Sequence, residues 1–156
     1  MSYSALAPVS AAVYAALNVA ALTAIAPGGV CDDVAQSTGF PFVLYDIDEE
    51  PQQGFGVQPG VAGWLPQINL TVHVYSQYQG LAEARSVLAK VTELLQQPLP
   101  VDGFSSWAIF YDGAIPIGDE LVAGVKCKEL VGKYRLFVEN VDGTGVSNFI
   151  DAGWAQ

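Results

Sequence analysis

INLTVHVYSQYQGLAEARSVLAKVTELLQQP, residues 68–98, changes its hydrophobic period from two to 3.6 part-way along. Ile68, Leu70, Val72 and Val74 alternate with Asn69, Thr71, His73 and Tyr75, which predicts a strand with one buried face. From Leu81 to Gln97 the apolar residues Leu81, Ala84, Leu88, Val91 and Leu95 step by three and four, and Pro98 stops the run. That pattern predicts an amphipathic helix. An apolar strand face and an apolar helix stripe bury each other by packing together, the elementary unit of an α+β domain.

Upstream, Leu6, Val9, Val13 and Leu17 form a second apolar stripe, on a helix of roughly residues 5–17. Asn18 is expected to end this helix and to cap a short following one, which Pro27-Gly28-Gly29 halts. Val30-Cys31 reads as a stub of strand, and Phe40–Asp46 as a strand whose start lies at a sheet edge because Pro41 has no amide donor. Residues 48–63, rich in acids, proline and glycine, read as a long exposed loop or hairpin.

Downstream, Trp107, Ile109 and Tyr111 alternate in a strand before the turn signals Asp112-Gly113 and Pro116. Two further strands are expected within residues 121–139, with Gly132 marking a bulge or bend between them. In the last, Tyr134, Leu136 and Val138 face one way and Lys133, Arg135, Phe137 and Glu139 the other. The expectation is one α+β domain over residues 1–139, a mixed and mostly antiparallel sheet with helices on one face. Residues 140–156 form a tail without periodicity, expected to dock on a neighbour or stay loose.

The chain has 156 residues, 51% apolar and 14% charged, enough to close one core without disulfides or metal. The apolar stretch Ala11–Ala26 is alanine-rich and interrupted by Tyr14, Asn18 and Thr23, too weak to span a bilayer. No Lys or Arg precedes Arg85, so it lacks the basic start of a signal peptide, and the cytoplasm in which it is made is the expected compartment. Cys31 and Cys127 lie far apart and outside any C-x-x-C pattern, which points to reduced thiols. A net charge of −10 disfavours nucleic-acid binding through a basic footprint.

A search for chemistry finds little. His73, the single histidine, falls on the polar side of its strand, where a solvent-facing or interface role is expected. The competing reading is a small enzyme or ligand-binding domain whose pocket uses His73, Tyr75 and nearby acids. Asp46, Asp48, Glu49 and Glu50 lack the D-x-D-x-D-G spacing of a calcium loop and read as an acidic edge, solvated or facing a partner. Gly54-Phe55-Gly56 is not a phosphate-binding loop, and Ser105-Ser106 is no nucleophile elbow. No cofactor or metal is expected.

Charge, by contrast, is segregated. Residues 1–84 carry those acids with no Lys or Arg, while Lys126, Lys128, Lys133 and Arg135 crowd together near the end. In a ring of identical subunits a head-to-tail contact joins two different surfaces, and an acidic edge at 46–50 facing a basic strand pair at 126–135 supplies complementarity.

The run Leu70-Thr71-Val72-His73-Val74-Tyr75-Ser76-Gln77-Tyr78-Gln79-Gly80, with Glu83-Ala84-Arg85, resembles the central signature of the tail-terminator, or tail-completion, family of long-tailed bacteriophages and gene transfer agents. Ala15-Ala16-Leu17 and Ala21-Leu22-Thr23-Ala24 resemble that family's N-terminal helix. Val30-Cys31-Asp32-Asp33-Val34 and Phe40-Pro41-Phe42-Val43 are similar to its V-x-D-x-V-P…F-P-Y-V segment. Ala35 departs from the proline common there, and the likeness ends near residue 139.

The resemblance implies a non-enzymatic virion protein. It would form a homohexameric ring on the head-proximal end of the tail tube, end tube polymerisation and present a docking surface. Implied partners are copies of itself, the tail tube protein and a head–tail connector or stopper, with no membrane and no sequence-specific nucleic acid. The implied location is the neck end of the virion tail, with the host cytoplasm during assembly. A neighbouring neck protein such as a head–tail stopper is a further reading. Gln53, Phe55, Val57 and Trp64, in the loop at 48–63, become candidates for an inter-ring contact.

Overall fold

The computed structural model describes residues 4–32, 39–50, 66–122 and 124–140, with backbone alone at 50, 106–108 and 140. In chain order the elements are α1 (Leu6–Leu17), α2 (Ala20–Thr23), β1 (Val30–Asp32), β2 (Phe42–Glu50), β3 (Gln67–Ser76), α3 (Ala82–Leu94), β4 (Phe104–Val122) and β5 (Val125–Asn140). The described strands form one five-stranded sheet in the order β1-β2-β3-β5-β4. β1 runs parallel to β2, and the other pairings are antiparallel.

β3 is the central strand, and its alternation is observed as read. Ile68, Leu70, Val72 and Val74 are buried while the residues between them are half-buried. Register carries that face across the sheet, setting Val43 and Leu130 beside Val74, Tyr45 beside Val72, and Leu136 beside Ile68. Ala84, Val87, Leu88 and Val91 of α3 and Val9, Val13 and Leu17 of α1 close over it to form the core. Full burial of each large aliphatic side chain contributes roughly 1.5–3 kcal/mol. Gly132 of β5 lies under α3, where a Cβ would stand 2.8 Å from Leu88 Cδ1, so its missing side chain makes room for the helix.

Several sequence expectations are corrected. Asn18 does not cap α2: it ends α1, donating its amide to Tyr14 O, and Val19 precedes α2 without a side-chain cap. β2 is an interior strand, between β1 and β3. It begins after Pro41, so the missing amide falls outside the ladder, and Pro41 O accepts from the Gly28 amide instead. β2 also continues to Glu50, so the expected loop loses its first residues, and the remainder lies outside the described residues. Asp112-Gly113 and Pro116 do not turn the chain. They mark register shifts within a single strand of 19 residues, and the reversal to β5 comes at Gly124, with φ +79°. Gly132 interrupts nothing, since β5 runs unbroken from Val125 to Asn140.

Candidate assembly surfaces

α1, α2 and α3 share one face of the sheet, and no described helix covers the other, called here the open face. On the open face β2, β3 and β5 bring His73 between two carboxylates, its Nδ1 2.9 Å from Glu129 Oε1 and its Nε2 3.1 Å from Asp46 Oδ2. Tyr75 OH donates to the same Glu129 oxygen at 3.4 Å. Glu129 is only 5% exposed. Burial, and then repulsion from Glu129, raises the Glu120 carboxyl above its ordinary range. Burial and the same two glutamates raise the Tyr75 phenol far above its usual value. Both imidazole nitrogens are engaged, so His73 acts as a polar tie across three strands.

The acidic residues expected to form one edge divide between the two faces, as alternation in a strand requires. Asp46 and Asp48 lie on the open face, where Asp48 accepts from Asn69 Nδ2 at 2.8 Å. Glu49 turns to the helix side and accepts the Ala5 amide at 2.7 Å. Glu50 ends β2 opposite Gln67. Gln53, Phe55, Val57 and Trp64 lie outside the described residues.

Three of the four clustered basic residues find partners inside the β4–β5 hairpin. Lys128 and Lys126 approach Asp119 at 2.8 and 3.6 Å, and Arg135 donates to Asp112 at 2.7 Å while lying over the Phe110 ring. Hydrogen bonding and charge from Lys128 hold the Asp119 carboxyl below its ordinary range. Lys133 is exposed and makes no ion pair with the described residues. Lys133 and Asp46 share the open face, both in register with Thr71, two strand spacings or about 10 Å apart. Acids and bases are therefore not on opposite faces of the sheet.

β4 is the feature that sequence reasoning missed. It is an edge strand, and no described helix covers it, because α3 sits over β3 and β5. Phe110, Ile115 and Ile117 are about half exposed, as is Tyr111, and Leu121 is 74% exposed. Between α3 and β4 runs a cleft of about 570 Å³ with Leu88, Ala89, Tyr111, Pro116 and Leu130 in its walls and Arg85 and Glu93 among its lining residues. The aromatic and branched residues of 109–121 were a visible signal, but the turn signals inside that stretch concealed one long strand.

A two-layer α+β domain, with helices on one face of the sheet and an apolar edge strand that no described helix covers, defines the class of this protein by fold. The same fold occurs in a solved chain from "Virion of native gene transfer agent (GTA) particle", with a TM-score of 0.69, 20% identity, and coverage of 88% of this chain and 99% of that one. The family described as "Tail completion protein gp17" matches residues 11–112, and the chain belongs to that family. By family it is a tail completion protein. No curated protein matches it.

Proposed function

We propose that this tail completion protein forms a homohexameric ring that caps the head-proximal end of the tail tube. The ring ends tube polymerisation and gives the head-side connector or stopper a surface to dock on. The observation that supports this reading most is β4, which exposes apolar side chains on both of its faces in a chain that belongs to a tail completion family. Such a ring needs two unlike surfaces on each subunit. The sheet supplies two unlike flanks: β1 and β2 carry no Lys or Arg, whereas β5, beside β4, carries four.

Capping requires that one ring face match the tube while the other does not repeat it. Glu50 and Gln67, which flank residues 51–65 in sequence, pair at the same end of the sheet where β5 finishes at Asn140 opposite Phe104. We assign contact with the adjoining ring to that end, with Gln53, Phe55, Val57 and Trp64 as its candidates. Asp46, Asp48, Glu49, Glu50, Lys126, Lys128, Lys133 and Arg135 remain candidates for the protomer interface, Lys133 foremost because it has no partner within the described subunit.

Native mass spectrometry over a concentration and salt series, followed by electron microscopy with purified tail tubes, tests the proposal. Six-fold rings, or caps at one tube end only, are expected. A monomer that ignores tubes refutes it. Capping unaffected by deletion of residues 52–62 would remove the loop assignment alone, and assembly intact at low salt after charge reversal of Lys133 and Arg135 would remove the electrostatic one.

A further inference from the structure

The cleft between α3 and β4 has apolar walls, formed by Leu81, Leu88, Ala89, Tyr111, Pro116 and Leu130, and nothing among the described residues fills it. Its volume, about 570 Å³, is that of a site able to enclose two large side chains. Ala89 and Tyr111 are exposed in its walls, and the Tyr111 ring stands 5.3 Å from that of Tyr134. Of its two charged lining residues, Glu93 is paired with Lys90 at 3.2 Å, whereas Arg85 makes no ion pair with the described residues. Asp119, on β4 beyond the Pro116 end, is held by Lys126 and Lys128.

Residues 141–156 continue in sequence from β5, the partner of β4, whereas residues 33–38 and 51–65 fall in the chain between β1, β2 and β3. Their sequence, VDGTGVSNFIDAGWAQ, holds Phe149, Ile150 and Trp154 with two charges, Asp142 and Asp151. Reach agrees with the position of the cleft. Asn140 pairs with Phe104, and the cleft begins six residues back along β5, where Tyr134 pairs with Tyr111, about 20 Å away. It ends ten residues back, where Leu130 pairs with Pro116, about 33 Å away. Phe149 and Trp154 are the ninth and fourteenth residues after Asn140, so an extended chain carries them up to about 30 and 46 Å. The surplus of about 10 Å in each case leaves room for the chain to reverse, and Asp142-Gly143 and Gly145 are residues that permit a reversal. Phe149 and Trp154 are also five residues apart, as are Tyr111 and Pro116.

We propose that residues 149–154 of each copy seat in that copy's own α3–β4 cleft, Phe149 against Tyr111 and Trp154 toward Leu81 and Leu130, with Asp151 offering Arg85 a carboxylate. β3 and β4 already occupy both edges of β5, so the contact is made through side chains and not by a further strand on β5. It covers the helix side of β4. Phe110 and Ile115, paired with Arg135 and Val131 on the other face, are left to partners, so the contact does not depend on the ring proposed above.

Two measurements on the full chain test it, with circular dichroism showing each variant folded. Ala89→Cys places a thiol in the cleft, and Ser86→Cys places one at an exposed position of α3 outside it; peptide mapping separates both from Cys31 and Cys127. Adding Phe149→Ser and Trp154→Ser should speed alkylation at position 89 by a bulky maleimide on the order of tenfold or more, and leave position 86 unchanged. In a chain carrying Trp64→Phe and Trp107→Phe, Trp154 is the remaining indole. Ala89→Arg, which fills the cleft, should then raise acrylamide quenching of that indole by roughly threefold. Alkylation at 89 that ignores the changes at 149 and 154 overturns the proposal, as does quenching that ignores Ala89→Arg. Protection at 89 that rises with protein concentration assigns the cleft to a second copy and overturns the same-chain contact. None of these outcomes decides ring formation, which native mass spectrometry reads separately.

Discussion

His73 of β3 and Glu129 of β5 are joined by a 2.9 Å contact between Nδ1 and Oε1, in which the glutamate is almost completely buried. A buried carboxylate is tolerated only with partners, and the ring nitrogen is its nearer one, with Tyr75 OH at 3.4 Å the weaker. His73→Ala should lower stability by about 1–3 kcal/mol in urea denaturation. Combining it with Glu129→Gln should cost less than the sum of the two single changes, since the charge left behind is gone. Full additivity would show that the pair does not interact.

Glu120 gives a pH dependence of known sign. Its folded-state pKa is raised by burial and by Glu129, so the folded protein favours the protonated carboxyl. The resulting destabilisation is present above the folded pKa and disappears as pH falls below the ordinary carboxylate value. Glu120→Gln should therefore raise the melting temperature at pH 7, and the gain should vanish near pH 4. A gain that grew on acidification would contradict this environment.

The phenols provide a second titration. Burial pushes Tyr134 up to about 12, against a hydrogen bond with Thr92 that acts the other way, and Tyr75 is raised further still. Alkaline ultraviolet titration should show both ionising well above the ordinary phenol range. Thr92→Val, which removes the partner 2.7 Å from Tyr134 OH, should destabilise by about 1 kcal/mol.

Two glycines should respond differently to alanine. At Gly132 the obstruction is Leu88 Cδ1, a side-chain end with some freedom, so Gly132→Ala should cost about 1–2 kcal/mol. Leu88→Ala in the same chain should then cost less than it does alone. At Gly28 the obstruction is the Gly39 carbonyl, which is backbone, with Phe42 Cβ at 2.7 Å. Gly28→Ala should cost more, about 3 kcal/mol, because only main-chain movement relieves it. Thermal unfolding of the two variants in parallel checks the order.

Local periodicity made β3 and α3 legible from sequence, because each has one uninterrupted face. The faces of the last strand were legible for the same reason, with Tyr134, Leu136 and Val138 buried as expected. Asp112-Gly113 and Pro116 misled because the same residue types that form turns also form bulges, and only pairing with β5 distinguishes the two. The meeting of His73 with Glu129 was not legible at all, since it depends on the β3–β5 register across 56 residues of chain. Charge segregation was readable, but the internal pairing of Lys126, Lys128 and Arg135 was not, because Asp112 and Asp119 reach them only once β4 is one strand.

The long β5 strand also decides where this protein can be labelled. It runs 16 residues from Val125 to Asn140, about 50 Å when extended, so its two ends lie at opposite extremes of the sheet. A fluorophore or affinity tag inserted directly after Asn140 joins the chain at the end of the sheet where β2 also finishes at Glu50. One inserted at the exposed Gly124 reversal projects from the far end. Comparing the two labelled proteins on the same tail preparation distinguishes, by which tag blocks attachment, the end of the subunit that points toward the tube.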